Sequence, residues 1–210
     1  VAKTMIEAPT YEKETVLERA KVSSSSEQLP VSIIDWCFSI AGKITTPSEL
    51  RQLSMRALAV NTQVPVSRWT PSMKVGPSAK YGSFMFADQL SLDHGAFGIS
   101  PAEARSMDPQ QNLVLSVGYS ALRQGGDLLS SINLNIGVFV GLEASGLKGH
   151  KEETSVYSAS GGALSVTSGR LSYSLGLVGP CYSIDTACAS SLSALHACVI
   201  TLKNGECNQG

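Results

Sequence analysis

The run Ile136-Gly137-Val138-Phe139-Val140-Gly141-Leu142 is apolar throughout and rich in β-branched side chains. A strand of that composition has no face for water, which is the position of a buried, parallel strand covered on both sides. Parallel neighbours need crossover connections, usually helices, and helix signals lie on both sides of it. From Pro47 the apolar positions Leu50, Leu53, Ala57 and Leu58 fit a helix capped by Thr46 or Ser48. Asp108 is a natural N-cap, Pro109 suits the first helical position and Gln111 completes capping-box spacing. Apolar residues 113, 114, 117, 121 and 122 continue that helix, and Gly125-Gly126 ends it. Ser160–Leu175 reads as one helix full of Gly, Ser and Ala, as expected where another backbone approaches closely. Val31–Ile34 reads as a first strand, and residues 61–83, with Trp69, as a long loop. Helices and strands alternate and no internal repeat is visible, so the fold class is α/β.

The chain has 210 residues, 43% hydrophobic and 16% charged, enough to bury a core without disulfides or a metal. A formal net charge of −1 without a basic block excludes an electrostatic nucleic-acid binder. The apolar runs are too short to span a membrane, and no charged-then-apolar leader points to secretion. Residues 1–29 combine many charges with the run Ser23–Ser26. They read as an upstream linker or tail with at most a helical turn or two over Thr15–Ala20. The domain is expected to span 30–210.

Cysteines stand at 37, 181, 188, 198 and 207 without C-x-x-C spacing, and His94, His150 and His196 do not complete a ligand set, so no metal is expected. The segment from Gly179 to Leu192 is the informative one. Cys181–Ile184 reads as a strand, Ala187-Cys188-Ala189 as a tight turn, and Ser190 to about Leu202 as a helix with Leu192, Leu195, Val199 and Leu202 on one face. Strand, sharp turn and helix make the geometry of a nucleophile elbow. It sets Cys188 near a helix N-terminus, where a thiolate is favoured and free amides can hold an oxyanion. The residues alone leave a second reading open, in which Cys188 is one more small buried hydrophobe. A serine hydrolase fits less well, since G-x-S-x-G is absent.

Asp185-Thr186-Ala187-Cys188-Ala189-Ser190-Ser191-Leu192 resembles the D-T-A-C-S-S-S-L block around the acyl-accepting cysteine of β-ketoacyl synthases. Phe97-Gly98-Ile99-Ser100-Pro101-Ala102-Glu103-Ala104, with Met107-Asp108-Pro109-Gln110-Gln111 after it, resembles the F-G-I-S-P-x-E-A and M-D-P-Q-Q blocks of modular type I polyketide synthases. Ser168-Gly169-Arg170-Leu171-Ser172-Tyr173-Ser174-Leu175-Gly176-Leu177 matches S-G-R-L-S-Y-x-L-G-L. Gly137–Gly141 and Gly205-Glu206-Cys207 fit as well, all in family order.

The resemblance implies a thiolase-like layered αβαβα fold of two similar halves, of which this chain holds the N-terminal half and the elbow. It makes Cys188 the acyl-accepting nucleophile, with its own backbone N–H in the oxyanion hole. The full enzyme is expected to condense the bound acyl group with a malonyl thioester by decarboxylative Claisen chemistry. Its partner is an acyl carrier protein carrying phosphopantetheine; no cofactor binds the synthase directly, and a homodimer is expected. Family members use two histidines and a lysine downstream of the cysteine block. None of His94, His150 and His196 fits those motifs, so the 210-residue piece alone is expected not to condense. His196 is expected to pack, and His94 and His150 to be solvated. The compartment expected is the cytoplasm, or an organelle such as a plastid. A fatty-acid-type synthase and a non-catalytic dimerising partner are the alternatives.

Two departures stand out. Asp35 and Trp36 replace small or apolar residues of the family's first strand, and Asn112 and Ser116 replace an Arg and a Glu four residues apart. Loss of such a pair on an exposed face is a change of about 0.3–0.5 kcal/mol.

Overall fold

The computed structural model describes residues 30–68, 80–124, 134–144 and 156–210, and Ser32–Gly210 forms one compact unit. The linker reading of 1–29, Trp69, the Gly125-Gly126 stop and His150 lie outside the described residues.

The first helix, α1 (Pro47–Met55), starts as its sequence demands. Thr46 accepts from the Glu49 amide, and the Glu49 carboxylate turns back to the Thr46 and Thr45 amides, each at 3.0 Å. Two short strands, β1 (Thr62–Gln63) and β2 (Tyr81–Gly82), pair antiparallel and close the segment expected as a loop. After α2 (Ala87–Leu90) and a 3-10 turn at His94–Phe97 come α3 (Pro101–Ser106) and the long α4 (Pro109–Gln124).

The expected buried strand is β3 (Val138–Gly141). It pairs in parallel with β4 (Cys181–Ile184), Val138 opposite Cys181 and Gly141 opposite Ile184. On its other edge Ile136 bridges in parallel to Gln209, and the Gly137 amide donates to the Gln209 carbonyl at 2.7 Å. Between β3 and β4 run α5 (Ser158–Gly161) and α6 (Leu164–Leu175), and after β4 comes α7 (Ser190–Lys203).

Alternation of side chains along β3 sorts the layers. Val138 and Val140 meet Leu115 of α4 and Leu171 of α6 in the main apolar cluster, with Ile99, Met107, Ile136 and Leu177. Gly141, on the opposite face, lies under α7: a Cβ there would sit 2.4 Å from the Ser190 carbonyl carbon. Helix, sheet and helix are therefore stacked.

Three expectations are corrected. Val31–Ile34 is not a strand; Ile33 is 81% exposed, and Trp36 instead stacks on Phe38 at 5.3 Å between ring centres. Ser160–Leu175 is two helices, because the carbonyls at the break are drawn elsewhere. Gly161 accepts from the Asp108 amide at 2.8 Å, while Gln111 Nε2 donates to Ser160 and Ala163. The break lets two backbones touch, since a Cβ on Gly161 would meet the Ser106 carbonyl. On α4 Gln111 and Leu115 are fully buried, and Val114 and Leu122 pack against the main cluster beside them. Finally, Asn112 and Ser116 are half-buried rather than exposed, and Asn112 Nδ2 donates to the Leu90 carbonyl at the end of α2.

One buried polar group ties the layers together. Arg170, 8% exposed on α6, donates from Nε to Gln111 Oε1 at 2.9 Å and pairs through NH1 with Glu103 of α3 at 2.5 Å. Removing one member of such a buried pair leaves the other without a counter-charge. Arg170→Met is expected to lower stability by about 3 kcal/mol, and Glu103→Leu in the same chain should recover part of it. Urea denaturation of the single and double variants measures the coupling; additive losses would mean that the pair contributes nothing specific.

Candidate active site

The chain leaves the sheet at Ile184 and re-enters regular structure at Ser190, with a 3-10 turn over Ala187–Ala189 between them. So sharp a reversal needs a residue in the left-handed region. Ala187 supplies it, with φ +53°, a conformation that costs a non-glycine residue roughly 1–2 kcal/mol. The turn is held from both sides. The Asp185 carboxylate accepts from the Ala187 amide at 3.1 Å, an Asx-type turn. The Ser190 hydroxyl accepts from the Thr186 amide at 2.8 Å and donates to the Ala187 carbonyl at 2.7 Å. Thr186 and Ser193 join hydroxyl to hydroxyl at 3.1 Å across the turn.

Cys188 stands at the apex of this turn and is exposed. Ala189, at the N-cap position of α7, brings no side-chain acceptor to the first-turn amides. The positive end of a 14-residue helix thus begins two residues beyond the sulfur. β4 and α7 are where the sequence placed them, and the elbow is formed. The burial of α7 is not as expected. Its inner face is Ser190, Ala194, Cys198 and Thr201, while Leu192 is 71% exposed and Leu195 also faces outward. The reason is Gly141: α7 lies so close to β3 that only small side chains fit between them.

The other cysteines sort by burial. Cys181 is exposed, Cys37 is half-buried, and Cys198 and Cys207 are buried. Burial pushes the Cys198 thiol up, and the neighbouring Cys207 adds to the shift. Burial pushes Cys207 up as well, opposed by a backbone hydrogen bond with Gly137. Of the histidines, His94 is not simply solvated: half-buried, it has Nδ1 2.8 Å from the Ile99 carbonyl. His196 is exposed on α7. Among the described residues no group of three or more His, Cys, Asp and Glu side chains is placed to hold a metal. No helix among them is long and apolar enough to cross a membrane.

Residues 30–209 match the family model described as "Beta-ketoacyl synthase, N-terminal domain". The chain belongs to the β-ketoacyl synthase family. Mycoketide-CoA synthase of Mycobacterium tuberculosis is 38% identical over 200 residues, covering 90% of this chain and 5% of that protein. Erythronolide synthase EryA3 of Saccharopolyspora erythraea is 34% identical over 209 residues, covering 94% of this chain and 6% of that protein. The chain thus spans about one-twentieth of these relatives' length. The ketosynthase from module 6 of the bacillaene synthase of Bacillus subtilis 168 superposes with a TM-score of 0.68 at 28% identity, covering 84% of this chain and 30% of that one. The thiolase-like layered fold expected from the resemblance is the fold of these ketosynthase neighbours, present here in its N-terminal portion.

Sequence reasoning found the elbow but not its supports. Asp185, two residues before Ala187, is a readable Asx-turn signal; the role of Ser190 carries no such signature.

The raised thiols predict a pH effect of definite sign. Folded Cys198 and Cys207 hold their protons more tightly than they do unfolded. Their contribution is therefore complete below the ordinary thiol value of about 8.5 and falls as pH rises through the raised values. The urea midpoint should drop as pH rises above about 8.5, and less so in a Cys198→Ala, Cys207→Ala variant. An identical slope in that variant would assign the pH effect to other groups.

Proposed function

We propose that this chain carries the acyl-accepting part of a polyketide-type ketosynthase, with Cys188 as the nucleophile. The observation that carries the reading is the exposed Cys188 at the strand–turn–helix apex of a matched ketosynthase domain. The Cys188 thiolate attacks the carbonyl carbon of an acyl thioester on the phosphopantetheine arm of an acyl carrier protein. The tetrahedral oxyanion is held by backbone amides, the N–H of Cys188 among them. The carbon–sulfur bond to the carrier breaks, the carrier thiolate takes a proton, and the acyl group stays on Cys188. A second half-reaction in the whole protein condenses it with a malonyl-carrier thioester as CO2 departs, which gives ping-pong kinetics. The whole protein acts as a homodimer, in the cytoplasm or an acyl-synthesising organelle.

The polyketide rather than the fatty-acid reading is favoured by the curated relatives, which are named as mycoketide, erythronolide and pikromycin synthases. A purely non-catalytic partner role is disfavoured by the presentation of the thiol at the apex of the turn.

Incubation with an acyl-N-acetylcysteamine thioester should add one acyl mass to the peptide containing Cys188. Cys188→Ala should remove the adduct and Cys181→Ala should not. Acylation spread evenly over Cys181 and Cys188 would overturn the nucleophile assignment. The 210-residue chain should release no CO2 from a malonyl-carrier thioester, since its histidines lie outside the family's decarboxylation motifs; release above the rate without protein would contradict this.

A further inference from the structure

We infer that Ser190 is a positioning residue for Cys188: its hydroxyl locks the left-handed turn at Ala187 and thereby aims the sulfur and amide of the next residue. The inference rests on the reading of Cys188 as the nucleophile.

Ser190 is buried at the first position of α7, directly beneath an exposed turn. A buried hydroxyl there has two obligations, a donor and an acceptor to satisfy. It meets both within the turn, accepting from the Thr186 amide on one side and donating to the Ala187 carbonyl on the other. The two bonds span the residue with φ +53°. Without them Ala187 would relax toward the right-handed region that L-residues prefer, and the backbone entering Cys188 would rotate with it. The seat is fixed from below as well. Gly141 lets β3 approach the Ser190 backbone so closely that a Cβ would collide with it. Ser190 is therefore held by the sheet and transmits that fixed position to the turn. Asp185 alone cannot do the same, because it grips only the amide side of Ala187.

The test measures alkylation of Cys188 by iodoacetamide, mapped by mass spectrometry, in the full chain at neutral pH. Ser190→Ala is expected to slow Cys188 on the order of 10-fold, the scale of a modest displacement of a reacting group. Cys198 and Cys207 should remain protected, which reports an intact fold. Ala187→Gly in the same chain removes the penalty for the left-handed region and should recover most of the rate, a rescue that general loss of stability would not show. Ser190→Thr keeps the hydroxyl and should react within about 3-fold of the unaltered chain, well inside the 10-fold scale of a displaced group. An unchanged Cys188 rate in Ser190→Ala, or no rescue by Ala187→Gly, would overturn the inference. Should Ser190→Ala expose the two buried thiols, Ser190→Thr decides: a 10-fold loss with both thiols protected overturns the inference, and a retained rate supports it. Failure of the nucleophile reading is separately visible, as equal rates for Cys188 and Cys181 in the unaltered chain. The ratio of variant to unaltered Cys188 rates judges Ser190 in either case.

Discussion

The guanidinium of Arg170 is the constraint around which the described unit is organised. A buried cation needs its donors satisfied and its charge answered, and no single helix can do both. Glu103 brings the charge from α3 and Gln111 a neutral acceptor from α4. Gln111 then spends its amide on the Ser160 and Ala163 carbonyls, which breaks the small-residue segment into α5 and α6. Three separate sequence blocks thus meet at one buried point, and the helices over one face of the sheet are fixed relative to one another. Such a group does little for stability compared with a well-packed apolar core; what it fixes is arrangement.

The opposite face is governed by closeness of backbone. Gly141 admits α7 almost into contact with β3, and the inner face of α7 is correspondingly small, from Ser190 through Ala194 and Cys198 to Thr201. Large side chains are displaced outward, which is why Leu192 and Leu195 are exposed. The same closeness seats Ser190 firmly enough to hold a strained turn above it. The site and the sheet are therefore one structural problem: the elbow is as well defined as the contact between Gly141 and α7.

Much of this was legible from local rules, and the exceptions share a cause. Thr46-Pro47-Ser48-Glu49, Ser100-Pro101-Ala102-Glu103 and Asp108-Pro109-Gln110-Gln111 carry one helix-start pattern, and each opens a helix at its proline. Only exposed Glu49 turns back on its own cap. Glu103 and Gln111 occupy the same third position but reach away to Arg170. The rule locates the helix start; the destination of the third side chain depends on what else is buried nearby. Apolar periodicity failed on α7 for a related reason, because it assumes that the large residues face inward. The apolar run of β3 was read correctly because a parallel strand packed between helices leaves little choice. Val31–Ile34 has strand composition, yet composition supplies no pairing partner, and within this unit it finds none.

The five cysteines show how little residue type decides and how much position does. Cys198 and Cys207 lie in the packed layer between sheet and helix, where desolvation keeps the thiol protonated and sterically closed. Cys181 is exposed but sits within a strand rather than in a turn that leads into a helix. Cys188 alone combines exposure, a turn too tight to move freely and the uncapped start of a long helix. Each of those three conditions is set by a different neighbour: the short reversal from β4, the Asp185 and Ser190 clamps on Ala187, and the alanine at the N-cap. The family block has serine where this chain has Ala189, so the missing side-chain cap is particular to this chain, and the chemistry proposed for Cys188 rests on the exposed apex and on the clamps that fix the turn beneath it.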